Sequence, residues 1–328
     1  MNYSIAIRTL GTSGEKFVRE LESIKRQTIQ PEKVIIYIAE GYNRPDYTIG
    51  KEEYVWVKKG MMRQRVLRYD EIDTPLILLL DDDVELAPDS VEKMINALVA
   101  HDLDCIAAVT FRNYLIPTIK KIYIALTNLV LPHWSKTWSV MVRSNGSFSY
   151  NNHPTKDVYL SQSASGPAAL WKKQVFCDMH YEDELWLDDL RFAFGEDVLM
   201  FNKLFKNGHR LGCHYSCGVK HLNAQSSSSE YKKNLIRFHT RSMASILIWY
   251  RICYNLKGTS SCSRMWAALS FIFKSLWLLI IHSVSSIYLR SPKVVSNYLS
   301  GLLDGLKMIK STEFRQIPNF IFHNLHSD

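Results

Sequence analysis

Five consecutive apolar residues, Leu76-Ile77-Leu78-Leu79-Leu80, run directly into three aspartates, Asp81-Asp82-Asp83. An apolar run that short, without polar alternation, predicts a strand buried on both faces. Such a strand belongs to a mostly parallel sheet with helices on either side, an α/β fold. In open α/β sheets ligands gather outside the carboxyl ends of the strands, and the aspartates stand at that end. Alternate residues of an extended chain point the same way, so Asp81 and Asp83 are expected to face a common ligand. Crowded carboxylates repel one another unless a cation neutralises them. Hard divalent ions, Mn²⁺ or Mg²⁺, take oxygen ligands and also bridge substrate phosphates. The chemistry implied is holding a diphosphate and neutralising it as it leaves.

The flanking sequence supplies the rest of such a sheet. Residues 3–8 and 34–39 are short and apolar, and read as strands. Between them Phe17, Val18, Leu21 and Ile24 share one helical face, which completes a βαβ unit. A further strand is expected at 53–58, a helix at 60–72, and a helix from Pro88 onward capped by Asp89 or Ser90. Strands follow at 104–111, 166–171 and 210–219. A helix over 199–205 is stopped by Asn207-Gly208. Residues 112–165 are irregular and aromatic, and are expected to form an insertion lining a binding surface.

This sheet-forming part resembles a family of enzymes in the order of its parts. Residues 78–89, Leu-Leu-Leu-Asp-Asp-Asp-Val-Glu-Leu-Ala-Pro-Asp, are similar to the Asp-x-Asp segment of family 2 glycosyltransferases of the bacterial polysaccharide type. Upstream, a first strand with Thr9, a helix carrying Ser23, Gln27 and Thr28, and the strand after Pro31 match in order. So does a Gly60-led segment with Arg63 and Arg65. Downstream, Gly195-Glu196-Asp197 resembles the family's Glu-Asp pair, and Gly166-Pro167 the segment at the acceptor-facing strand. The resemblance spans residues 3–225 and implies a GT-A fold, Rossmann-like and nucleotide-sugar-binding.

It also implies roles. Thr9, Glu40, Arg63, Asp81 and Asp82 would lie around a nucleotide-sugar, with a UDP-sugar favoured. Glu40 stands where the family usually has Asp. Asp83 and His221 would hold Mn²⁺ or Mg²⁺. Asp197 would be the base that takes a proton from an acceptor hydroxyl, with Glu196 orienting the acceptor, in an inverting displacement. Lys220 could offset phosphate charge, and Trp186 with the acidic stretch 182–189 could contact a sugar ring.

The C-terminal third has a different character. Residues 231–328 hold 13 Lys/Arg against 3 Asp/Glu, a net of +10; residues 1–230 hold the other 27 and 29, a net of −2. The basic excess is interleaved with long apolar runs, above all 266–288 with Lys274 inside and Arg264 and Arg290 flanking. That pattern suits an anionic membrane surface rather than nucleic acid. The chain is therefore expected to divide into a catalytic domain, 1–225, and a helical membrane-associating region, 226–328. Residues 266–288 could lie on the bilayer, span it, or be buried in the fold.

Six scattered cysteines make no disulfide framework, and Cys213, Cys217, His214 and His221 fit no standard zinc spacing. With a first strand beginning at Tyr3, no secretory leader is expected. The expected location is cytoplasmic, on the inner face of the cell membrane. The acceptor would be a glycan or a lipid-linked glycan in cell-surface polysaccharide synthesis. Two other classes use some of the same features. A haloacid-dehalogenase-like phosphatase also has an apolar strand running into Asp-x-Asp, but on its first strand and with later Lys and Asp partners. A non-enzymatic membrane scaffold would need only the basic tail.

Overall fold

The computed structural model describes residues 1–110, 117–190, 195–222 and 234–321. Phe111, the Ser226–229 tract and the expected boundary at 225/226 lie outside these. The chain is a mixed α/β protein with a central, mostly parallel sheet and a helical C-terminal region. The strands are β1 (Tyr3–Thr9), β2 (Val34–Ala39), β3 (Glu52–Val57), β4 (Leu76–Asp81), β5 (Val84–Leu86), β6 (Cys105–Ala108), β7 (Val140–Val142), β8 (Phe148–Tyr150), β9 (Val158–Leu160), β10 (Ala168–Lys172), β11 (Leu211–His214) and β12 (Val219–His221). The helices are α1 (Glu15–Lys25), α2 (Ser90–Ala100), α3 (Thr118–Asn128), α4 (Lys173–Asp178), α5 (Glu196–Lys206), α6 (Ile236–Trp249), α7 (Ser261–Tyr288), α8 (Lys293–Lys310) and α9 (Thr312–Gln316).

Eight strands form the main sheet in the order β3-β2-β1-β4-β10-β6-β11-β9. β10 runs antiparallel to β4 and β6, and β9 antiparallel to β11; the other pairs are parallel. Both faces are covered, as the unbroken apolar strands require. Ala6, Ile35, Tyr37, Ile77 and Leu79 enter one core cluster, while Ile5, Ile7, Ile36, Leu78 and Leu80 enter the other.

Several expectations are corrected. Residues 60–72 form turns instead of a helix. The Met62 and Arg63 N–H groups donate to the Asp188 carboxylate at 2.7 and 2.9 Å, an acceptor far along the chain that replaces helical carbonyls. The 210–219 strand is two strands in different sheets, β11 and β12. The insertion contains α3 and the β7–β8 hairpin. Asp89 stands at the start of α2 but its side chain does not cap it; the carboxylate pairs with Lys93 at 2.8 Å.

The C-terminal helices are fastened to the part that carries the sheet. Glu184 and Arg251, 0% and 1% exposed in their side chains, form a buried ion pair. Trp186 Nε1 donates to the same carboxylate at 2.8 Å, and Trp186 packs edge-on against Phe314. Trp186 is thus a core residue rather than a sugar contact. Leu247, Ile252, Phe271 and Phe320 share one core cluster with Ile77 and Leu79 of the sheet.

Candidate active site

The site is built where β1 and β4 end. Their register sets Arg8 beside Asp81, and Arg8 Nη2 donates to Asp81 Oδ1 at 2.8 Å. β4 stops at Asp81 and a turn follows at Asp82-Asp83, so simple alternation no longer applies. Asp81 and Asp82 line one cavity, while Asp83 turns toward β12. Simple alternation would turn Asp81 and Asp83 to one side; the turn instead leaves Asp83 against His221.

Thr9 joins the turn through its hydroxyl, which accepts from Gly11 N–H at 2.7 Å and donates to Asp82 Oδ2. Burial pushes the Asp82 carboxyl up, opposed by hydrogen bonds from Thr9 and Ser13 and reinforced by Asp81 and Asp83. Beneath the turn Glu20 of α1 is fully buried, and burial, then Asp82 and Asp83, pushes its carboxyl well up. The cavity measures about 160 Å³ and is lined by Thr9, Thr12, Ser13, Gln64, Arg65 and Asp81, among others.

α1 also positions the segment after the turn. Leu86 N–H donates to Ser23 Oγ at 3.1 Å, Gln27 Nε2 to Ala87 O at 2.8 Å, and Thr28 N–H to Pro88 O at 2.8 Å. Ser23, Gln27 and Thr28 therefore clamp the end of β5 and the two residues after it. β5 pairs antiparallel with β12, which brings His221 Nε2 to 3.0 Å from Asp83 Oδ1. That hydrogen bond raises the imidazole pKa against the opposing effect of burial.

The antiparallel β10 delivers the second half. Its first residue pairs with Leu80, and Asp81 N–H donates to Pro167 O at 2.9 Å, so Gly166 lies beside the acidic turn. Gly166 N–H donates to Asp197 Oδ2 at 2.8 Å. A Cβ on Gly166 would stand 2.1 Å from Asp197 Oδ1 and 3.0 Å from Arg65 Nη1, so only glycine allows this approach. Asp197 Oδ1 is buried and makes no hydrogen bond, with Arg65 Nη1 3.4 Å from it.

Arg65 ties the two halves together. Its Nη2 lies 3.2 Å from Asp81 and 3.7 Å from Glu196, and its Nη1 3.4 Å from Asp197. Burial disfavours its charge, but Asp81, Asp197 and Glu196 outweigh that and hold the guanidinium above its ordinary range. Glu196 is shifted the other way: burial, then Asp197, raises its carboxyl to about 7 against the pull of Arg65. Glu196 and Asp197 open on a second cavity of about 240 Å³, lined also by Ser139, Tyr150, Asn151 and Tyr215. The two cavities together fall within the roughly 300–1,000 Å³ common for small-ligand sites.

The structure thus brings together Thr9, Asp81, Asp82, Glu196 and Asp197, with Asp83 and His221 paired beside them. Glu40 and Arg63 are both exposed and line neither cavity. Lys220 is exposed as well. Arg8 carries no motif that marks it in the sequence, and Arg65 stands out there only beside Arg63. The signal for Arg8 is a lone charge inside an apolar strand, a position that demands a buried partner.

Among the described residues no three His, Cys, Asp or Glu side chains form a cage for an ion. The Asp83 carboxylate, with His221 beside it, has the oxygen chemistry of Mn²⁺ and Mg²⁺, ions often held by one or two carboxylates plus substrate phosphates. Cys213 and Cys217 are buried, and burial pushes both thiols up.

No family model matches this sequence, and no curated protein matches it. Among solved structures, one of GalNAc-T7 with UDP, GalNAc and Mn²⁺ aligns with a TM-score of 0.48 and 12% identity. The alignment covers 67% of this chain and 43% of that one, so the chain spans less than half the length of its solved neighbour.

Proposed function

We propose that the protein is a glycosyltransferase that moves a sugar from a nucleotide-sugar, with a UDP-sugar favoured, to a hydroxyl of a glycan or lipid-linked acceptor. The observation that carries this reading is a pair of cavities whose carboxylates, Asp81 in one and Glu196 and Asp197 in the other, share Arg65, one cavity acidic and hydroxyl-lined, the other holding a buried Asp197 oxygen that makes no hydrogen bond. A nucleoside diphosphate would sit at Thr9, Asp81 and Asp82. Asp83 and His221 would hold the divalent ion there; when bound, it supplies positive charge beside the diphosphate.

The acceptor would occupy the second cavity with its hydroxyl donating to Asp197 Oδ1. The hydroxyl oxygen forms a bond to the anomeric carbon as the bond to the diphosphate breaks, with inversion. The proton passes to Asp197, and the electron pair leaves on the diphosphate. Gly166 N–H and Arg65 fix the carboxylate in place before the reaction. Membrane attachment through α7 and a place on the cytoplasmic face in cell-surface polysaccharide synthesis complete the proposal. A phosphatase reading would need Asp81 as a free nucleophile, yet Arg8 and Arg65 both bind its carboxylate.

The test is a thermal-stability titration with UDP, GDP, dTDP and CMP, each with and without Mn²⁺. Binding to the native state raises stability by about 3 kcal/mol at 100-fold saturation. One nucleotide is expected to give a metal-dependent shift, absent in Asp83→Ala. No shift with any nucleotide would overturn the reading.

A further inference from the structure

A groove of about 1060 Å³ runs between α3 and α7. α7 lines it with Trp266, Leu269, Ser270 and Phe273, and α3 with Ile122, Ala125, Leu126 and Leu129. Each set has the spacing of a single helical face. Trp266, Leu269 and Phe273 are 65%, 55% and 66% exposed, so a wide apolar strip stands open. The walls are tied together: Trp277 Nε1 donates to Leu126 O at 2.5 Å, and Ser144 Oγ to Ser270 Oγ at 3.1 Å.

The remaining wall is polar. The β7–β8 hairpin supplies Arg143, Ser144 and Asn145 from its turn, and Asn152 follows the hairpin. The same hairpin lines the 240 Å³ cavity with Val140, Phe148 and Tyr150. Val140 and Arg143 are three residues apart, about 10 Å along a strand. No Asp or Glu among the described residues lines the groove.

Apolar surface of this extent costs free energy in water unless something covers it. A groove between two helices is filled by a chain laid into it. Leu276, Ile280 and Val284 carry the same face of α7 beyond the groove, and all three are more than half exposed, which gives an apolar chain a route in. At the hairpin Arg143 suits a phosphate, with the Asn152 amide as a neutral donor. We propose that the groove holds the apolar chain of a lipid phosphate, with the phosphate at Arg143. The role of that lipid rests on the transferase reading: it is the carrier of the acceptor, whose sugar reaches past the hairpin into the 240 Å³ cavity.

The test needs no nucleotide. The full chain, in detergent-free buffer, is titrated calorimetrically with decyl phosphate, decanol and inorganic phosphate, each below micelle formation. Wild type is expected to bind decyl phosphate, and inorganic phosphate at least tenfold more weakly. Leu269→Glu sets a carboxylate against both chain and phosphate and should weaken decyl phosphate about tenfold or more. Should that variant not fold by circular dichroism, Leu269→Ser takes its place. Arg143→Gln should weaken decyl phosphate about tenfold but leave decanol within about twofold, because only the phosphate loses a charged partner. Val284→Glu, at a position 63% exposed and outside the groove, should leave both within about twofold if general apolar surface is not the cause. No wild-type binding, binding untouched at Leu269, an equal loss in Val284→Glu, or no selective loss of decyl phosphate in Arg143→Gln would each overturn the proposal. Decyl phosphate binding without any nucleotide shift would keep the lipid site and remove only its role as acceptor carrier.

Discussion

At the residue scale, the decisive feature is an imbalance around Asp197. One oxygen accepts from Gly166 N–H; the other is buried, makes no hydrogen bond and has only Arg65 Nη1 near it, at 3.4 Å. If the second oxygen receives the acceptor hydroxyl, Asp197→Asn should cut turnover by about 10²–10⁴-fold. Nucleotide binding in the neighbouring cavity should survive, as a thermal shift would report; near-normal turnover would refute the role. Glu196 supplies a pH signature. Its folded pKa of about 7 lies above the ordinary value of 4.5, so its contribution to stability is present in acid and fades as pH rises through 7. Over the same window Glu196 gains the charge with which it would orient an acceptor hydroxyl, so kcat/KM should climb. Glu196→Gln should abolish both trends, measured by melting temperature and rate against pH. The acidic members were legible because three aspartates after an apolar strand, and Glu-Asp ahead of a helical pattern, are local signals. The roles of Arg8 and Arg65 were not legible because their partner Asp81 lies 73 and 16 residues away.

At the scale of elements, two pieces do most of the positioning. β10 enters the sheet antiparallel, and this reversal places Gly166 beside both Asp81 and Asp197. No residue pattern in 166–171 reveals strand direction, which depends on where the insertion returns the chain. The second piece is the packing of α6 on α8. A Cβ on Gly301 would stand 2.1 Å from both His239 O and Ser242 Oγ, and one on Gly305 would stand 2.3 Å from Ile246 Cγ2. Gly301→Val should therefore cost about 2–3 kcal/mol, read by urea unfolding, because the helix backbone of α6 cannot yield as a flexible side chain would. An unchanged midpoint would mean the helices separate freely. The failed helix at 60–72 has the same kind of cause: buried Met62, Tyr69 and Ile72 and the Asp188 carboxylate outweigh local propensity.

For the whole molecule, the helical region is part of the fold and also its most apolar surface. α7 is the one described helix long and apolar enough to cross a membrane, yet only 17% of its apolar window is buried. Trp266, Phe273, Leu276 and Ile280 are all more than half exposed, and Ile122 and Tyr123 of α3 add to the exposed apolar surface. Deleting residues from 231 onward would strip Arg251 from the buried Glu184 and open the shared core, so loss of membrane binding would prove nothing. Phe273→Ser with Ile280→Ser is the cleaner test: it should release the folded protein from anionic vesicles in flotation, whereas unchanged flotation would exclude this face. Local periodicity and composition were enough to set most of the alternation of strands and helices outside 60–72 and the 112–165 insertion, the acidic carboxyl end of β4, and the basic, apolar character of the tail. Which carboxylates share a cavity, which arginines neutralise them, and how the tail is bolted to the sheet's core emerged with the three-dimensional fold. Those depend on strand order and on contacts between residues far apart in the chain, for which local sequence carries no signal.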